Sequence, residues 1–418
     1  MFKRSVMFVV MLLTISVFLF ASTTVELWSW RTQDAGVWEE VEKRLKEEGK
    51  DINIDFRAFL PTEYDAKVQL ALQGGKGPDL MYTRRLPSSS VEGMINADLL
   101  KPLDNLVDFK DFNKNILKSV TYDGKEYGVP FAVQVVGIFY NKDIFDMFGI
   151  KEPDTWDELV EVAEKIKANG IDPFFVPGKE AWALTMQHAM CGVSVLGPDF
   201  IGALERGEAD FLDPKWIDLN TKLWELKKYY QNGFVGNDTN DMNAAFAFGQ
   251  AAMTFYGIWG VQMWRELNPD INVGYFMVPP ISKDDEAYSY VYMDGAIGLT
   301  SNADQEAAAV EVLKFAARPE FGTIFSGITL NIPAVSNATM PDDPILTEVM
   351  EAAGHVSPYL YWVGSVFTTG NPSLYGGILS PGMQELNADK ITPLEFAQKA
   401  QDGMSQWFTP LRKRLGLE

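Results

Sequence analysis

Between Thr24 and Tyr82 the chain switches repeatedly between a hydrophobic period of two and one of 3.6, and no other feature constrains its fold as tightly. Val25-Glu26-Leu27-Trp28-Ser29-Trp30 alternates like a half-buried strand, and Val37, Val41 and Leu45 then recur at helical spacing until Gly49. Ile52 and Ile54 return to period two. Tyr64, Val68 and Leu72 mark one face of a second helix, which Gly74-Gly75-Lys76-Gly77-Pro78 ends before the strand Asp79-Leu80-Met81-Tyr82. Strands alternating with helices imply an α/β fold with a parallel sheet, in which ligands bind beyond the carboxyl ends of the strands. The glycine run is read as a helix C-cap and turn, because it lacks the Lys-Ser/Thr of a phosphate loop.

The chain has 418 residues, more than one ordinary domain holds, so two or three units of roughly 150 residues are expected. A hydrophobic content of 47% supplies core without staples, and the single Cys191, read as a small buried hydrophobe, excludes an internal disulfide framework. The formal charge of −21 argues against nucleic acid as a partner. The one dense basic run, Arg412-Lys413-Arg414, suits a helix C-terminus. Lys3-Arg4, an apolar run from Val6 to Phe20 and small Ala21-Ser22 form the pattern of a cleaved export signal over residues 1–22. No Cys follows that run, so a free periplasmic protein is expected and not a lipoprotein. Leu19 or Phe20 at the −3 position leaves an uncleaved anchor as the alternative.

A second α/β unit begins near Ile138. Phe139 to Lys142 reads as a strand leaving the first unit, and Thr155 with Glu158 forms a capping box at the start of a helix in which Trp156 is structural. Further strands are expected at Val273 to Val278 and Gly295 to Leu299, and a helix from Ala307 to Ala317. No flexible linker separates the units, so short crossings should join them. Near Phe246, a short helix is broken by Gly249 and followed by a buried strand from Ala252 to Tyr256. Gly257 then lets the chain turn, so that Trp259 stands at the strand's end either as core or as a platform for a sugar ring.

The stretch from Ala244 to Trp264 resembles the F-x-x-G-x-A-A-M…G-x-W signature of bacterial extracellular solute-binding proteins, the maltose-binding-protein-like branch that serves ABC sugar importers. Four further segments match in the same order: Gly77-Pro78-Asp79-Leu80, Tyr140-Asn141-Lys142-Asp143 with Thr155-Trp156-Asp157-Glu158-Leu159, Met277-Val278-Pro279-Pro280, and Ile391 to Ala397. The resemblance implies a two-lobe type II periplasmic-binding-protein fold with discontinuous lobes around a hinged cleft. Residues 23–133 and 294–332 would form the N-terminal lobe, and 138–290 and 336–418 the C-terminal lobe. The crossings would fall at Ala132 to Val136, Val291 to Gly295, and Leu330 to Val335. It further implies a monomer that captures a mono- or oligosaccharide and delivers it to ABC permease subunits, without cofactor, metal or catalysis.

Site residues transfer from that resemblance position by position. Trp30 and Arg31 follow the first strand, whereas Trp28 is assigned to the core. Arg84 and Arg85, after Thr83, occupy a loop in which maltose-binding relatives carry an aromatic and a charge. Gln134 stands in the first crossing where those relatives have a Glu, and Trp182 matches an aromatic of the second lobe. Trp259 is the stacking residue, Asp294 lies at the second crossing, and Tyr375 comes from the C-terminal helices. Aromatic faces suit the C–H side of a pyranose, and Arg, Asp and Gln suit its hydroxyls. The tandem arginines either face the cleft, favouring a uronate-bearing saccharide, or lie in a solvated loop. A glycosidase needs two opposed carboxylates. The 57 acids allow such a pair, but His188 and His355 are too far apart in sequence to suggest a metal site, and no G-x-S-x-G or H-E-x-x-H is present. A polyamine or other solute binder would fit the acidity but not tandem Arg in the cleft.

Overall fold

In a computed structural model that describes residues 22–356 and 365–418, two sheets organise the chain. The export segment, up to residue 21, lies outside the described residues. The first sheet runs Ile52–Ala58, Thr23–Ser29, Leu80–Arg84, Gly295–Thr300, Leu100–Lys101 in spatial order. Its first three strands are parallel, and Gly295–Thr300 then returns antiparallel to Leu80–Arg84. The helices between them bury the faces that their periodicity marks: Val37, Trp38, Val41 and Leu45 from Ala35–Glu47, and Tyr64, Val68 and Leu72 from Pro61–Gln73. Asp79 fastens this sheet. Its carboxylate accepts the backbone N–H of Glu26 at 2.9 Å and of Gln305 at 2.8 Å, so a residue 226 positions upstream fixes the lead into the helix Glu306–Ala316.

The second sheet departs from the parallel expectation. Its centre is the ten-residue strand Ala132–Asn141, flanked antiparallel by Ala251–Gly257 and Val273–Phe276, with Tyr290–Met293 and Ile332–Pro333 on its first residues. Among the described strands of this sheet, the short Asp172–Phe174 adds the one parallel strand pair, to Ala251–Gly257. Antiparallel neighbours need no long crossover back to the same end of the sheet, so the returning strands pack directly on the one that leaves the first lobe. Val136, Ile138 and Tyr140 face one core while Val135 and Phe139 face another. Burial on both faces explains why this strand reads as a continuous apolar run.

Chain order and lobe membership do not coincide. The helix Pro319–Thr329 returns Phe321 and Phe325 to the core under the first sheet, whereas Pro393–Met404 packs Phe396 and Ala400 against the second. Among the described residues, three passages join the two sheets and they lie side by side. Phe131 N donates to Gly295 O at 3.2 Å, Asp294 N to Ala132 O at 2.9 Å, and Ala334 N to Phe131 O at 3.1 Å.

Three local readings are corrected. Thr155 caps the helix Trp156–Ala168 by accepting from Glu158 N, but Glu158 bonds back to Asp154 N at 2.8 Å and not to Thr155, so the capping box is displaced by one residue. Gly257 remains in the strand and serves by its size, since a Cβ there would lie 1.9 Å from the folded-back Trp259 ring. Trp28 is half-buried against Phe59, with its indole N–H on Glu26, while Trp30 is the buried one. The strand ends at Ser29, so period-two alternation no longer governs Trp30.

Candidate ligand site at the lobe junction

The three passages are tied by a polar network centred on Arg31, just past the carboxyl end of the first strand. Its Nε donates to Asp34 Oδ2 at 2.8 Å, its Nη1 to Asp294 Oδ2 at 2.8 Å, and its Nη2 to Asn331 Oδ1 at 3.4 Å. Gln134 Nε2 donates to the same Asp294 oxygen and to Asn331 Oδ1, each at 3.0 Å. Asp294 and Asn331 bond Arg31 directly, and Gln134 bonds both of them, so one residue from each passage joins the network. Tyr82 extends the network by donating its hydroxyl to Asp34 Oδ2 at 2.9 Å and accepting from Trp38 Nε1 at 3.0 Å.

This network is buried, with Arg31 only 3% and Gln134 0% exposed. Burial works against the Arg31 charge, but Asp34 and Asp294 outweigh it and the net shift is upward. Burial raises the Asp34 carboxyl in turn, with Arg31 opposing. Breaking such a pair strands a charge, which costs about 3–5 kcal/mol. The guanidinium also lies over the Phe131 and Phe325 rings, at 5.5 and 5.6 Å from their centroids. Asp34 Oδ1 and Gln134 Oε1 are buried without a partner among the described residues.

Beside the network lie the tandem arginines. Arg84 stacks on the Trp30 ring at 3.8 Å and pairs with Asp65 at 3.1 Å. Trp30 itself packs among Tyr64, Tyr82 and Phe131, and Gly295 keeps its place open, because a Cβ there would come within 2.7 Å of the indole and 2.5 Å of Thr83 O. Arg85 takes a different course: its Nη1 donates to the Asp294 carbonyl at 2.7 Å and its guanidinium lies 4.5 Å from the Tyr292 ring centroid. Tyr375 approaches from the C-terminal segment. Burial raises its phenol while Arg84 and Arg85 pull it down. Arg84 is the last residue of the strand Leu80–Arg84, paired with Gly295, and not in a loop as expected; only Arg85 lies beyond it. Thr368 Oγ1 donates to Pro87 O at 3.0 Å and ties the C-terminal segment to the turn after the arginines.

On the other side of the junction, three half-buried or buried rings gather on the second lobe. Trp259 lies 5.0 Å from Tyr256, and Trp182 lies 6.3 Å from the same ring. Trp182 is oriented by its N–H on Glu180 at 2.7 Å. Burial raises the Tyr256 phenol, and both Glu180 and Arg31 act on it electrostatically, so this cluster neighbours the Arg31 network. The residues singled out from the sequence thus divide into two sets. Arg31, Gln134 and Asp294 hold one another, whereas Trp30, Arg84, Arg85, Trp182, Trp259 and Tyr375 surround them. Sequence reading missed Asp34, Asn331, Tyr256 and Tyr292. Only Asp34 had a local signal, three residues after Arg31 on a turn.

Asp34 and Asp294, which could have been an opposed acid pair, share one arginine. His188 is buried against Asn220 Oδ1 at 3.0 Å, and burial pushes it down to about 4, while burial pushes the Cys191 thiol up. Among the described residues no group of His, Cys, Asp and Glu could hold a metal, and no helix is long and apolar enough to cross a membrane.

A family model described as bacterial extracellular solute-binding protein matches residues 28–322. The chain is 30% identical over 290 residues to an uncharacterized ABC transporter extracellular-binding protein of Pyrococcus horikoshii, covering 66% of this chain and 63% of that protein. It is 32% identical over 165 residues to the multiple sugar-binding protein of Streptococcus mutans, covering 37% of this chain and 39% of that one. The matches therefore span less than two thirds of either relative's length. The solved structure of a chitin oligosaccharide binding protein superposes with a TM-score of 0.77 at 24% identity, over 92% of this chain and 98% of that one. At that identity the likeness is one of fold, and the fold is the two-lobe type II arrangement.

Proposed function

Because the chain belongs to the bacterial extracellular solute-binding protein family, whose members bind solutes and do not transform them, we propose that it captures a mono- or oligosaccharide between its lobes and delivers it to the permease of an ABC importer. The observation that carries this reading is a junction of three adjacent passages with aromatic rings gathered on both sides: Trp30 with Tyr292 and Tyr375 near the arginines, Trp182 with Tyr256 and Trp259 opposite. The lobes that close are 23–133 with 294–332, and 138–290 with 336–418. Closure selects one conformation because the ligand touches both lobes only when they meet. In this reading Trp259 supplies the stacking face, and Arg31, Gln134 and Asp294 hold the passages beneath the ligand. The protein acts as a monomer in the periplasm after loss of residues 1–22. The sugar-binding relative in Streptococcus mutans and the oligosaccharide-binding structural neighbour support a saccharide.

The test is thermal melting of the exported protein against neutral saccharides, uronate oligosaccharides and polyamines. A ligand at 100 times its Kd adds about 2.7 kcal/mol to stability, a clear rise in Tm. A rise with saccharides alone is the expected result; a rise with polyamines alone, or with no saccharide, contradicts the reading.

A further inference from the structure

Arg85 is the one arginine at the junction whose hydrogen-bonding capacity is largely unspent. Each nitrogen of Arg31 donates to a side-chain oxygen, and Arg84 gives Nε and Nη2 to Asp65. Among the described residues Arg85 makes one hydrogen bond, to a backbone carbonyl, and has no ion pair. Its Nε is buried without a partner. A guanidinium carries five N–H donors in a planar fork, and an unmet buried donor costs free energy that a structure ordinarily recovers somewhere.

The neighbours explain why no protein carboxylate answers it. Asp34 and Asp294 turn their shared oxygens to Arg31, and Asp65 is held by Arg84. The Tyr292 ring beneath Arg85 and the Asp294 carbonyl at its Nη1 fix the plane of the fork. A planar cation fixed in this way, with an edge uncommitted, matches a carboxylate, which takes two parallel N–H bonds. In a chain of formal charge −21 the general field repels anions, so an acidic ligand would need such a local cation.

We propose that Arg85 recognises the carboxylate of a uronate-bearing saccharide. This inference rests on the junction being a saccharide site and names the ligand's class there. Arg85 sets specificity, Arg84 keeps the Trp30 face covered, and Trp259 with Tyr375 contacts the sugar rings.

Isothermal titration of the exported full-length protein with trigalacturonic acid, its fully methyl-esterified form, a glucuronate-bearing xylo-oligosaccharide and maltotriose tests this. The parent is expected to bind one of the acids at least about tenfold more tightly than any uncharged probe, the range of a charge-assisted hydrogen bond. Arg85→Gln should remove that preference, weakening the acid by more than it weakens the methyl ester. Arg85→Lys, which keeps the charge without the fork, should retain part of it and controls for folding. Neutral saccharides bound equally by parent and Arg85→Gln, with no preference for an acid, overturn the carboxylate assignment while saccharide capture stands. Failure of every saccharide to bind overturns both.

Discussion

Arg31 and Arg85 stand on either side of Asp294 and meet opposite fates. Arg31 receives the Asp294 side chain and is sealed among Asp34, Asn331 and Gln134; Arg85 receives only the Asp294 carbonyl and keeps most of its donors. A buried cation whose bonds are all internal can define how strands cross, but it offers a ligand nothing. A half-buried cation with an unmet donor ties the crossing through a single bond and has binding capacity in reserve. Family position alone assigns both to the same site, and hydrogen-bond accounting separates them.

The largest expected effect attacks the sealed side. Arg31→Met should lower unfolding free energy by about 3–5 kcal/mol, because Asp34 remains buried without its counter-ion. Urea denaturation measures it, and a loss under about 1 kcal/mol would mean that the network does not hold the passages.

A second buried group sharpens the contrast because, unlike Arg31, it titrates. Burial lowers the folded-state value of His188 from about 6.5 to about 4, so its stabilising contribution is complete above pH 6.5 and is lost as pH falls toward 4. That shift corresponds to about 3 kcal/mol. The parent should therefore lose more stability than His188→Gln between pH 6.5 and 4. Equal losses would mean that acid unfolding is driven by other groups.

The smallest effect concerns the ring side. Trp259→Ala should weaken the best saccharide about tenfold, the upper range of an aromatic contact. It should destabilise the fold far less than the roughly 3–5 kcal/mol of a core aromatic such as Trp216. A variant that melts like Trp216→Ala yet binds normally assigns Trp259 to the core.

How much of this was legible in the residues follows from where information is local. The first lobe's strands and helices are readable because one face of each is buried, so Val25, Val37, Tyr64 and Leu80 mark periods directly. Ala132–Asn141 carries no such alternation, since both faces are buried, and its antiparallel partners lie more than a hundred residues away in sequence. The site divides in the same way. Arg31 and Asp34 are three residues apart on one turn, a spacing that could be read. The bonds from Arg31 to Asp294 and Asn331 span 263 and 300 residues, and no periodicity encodes them. Trp30 and Trp28 show the limit within one strand, because alternation predicts matched burial and the strand stops between them.

The most direct measurement pairs the two arginines in one series: urea unfolding and trigalacturonate titration of the parent, Arg31→Met and Arg85→Gln. Arg31→Met should lose about 3–5 kcal/mol of stability, while Arg85→Gln, which removes one charge-assisted bond to a carbonyl and leaves no buried carboxylate behind, should lose less, about 1–2 kcal/mol, and lose about tenfold in affinity for the acid. Equal destabilisation by both substitutions, with affinity for the acid unchanged in Arg85→Gln, would contradict the division between a sealed crossing and an open recognition edge.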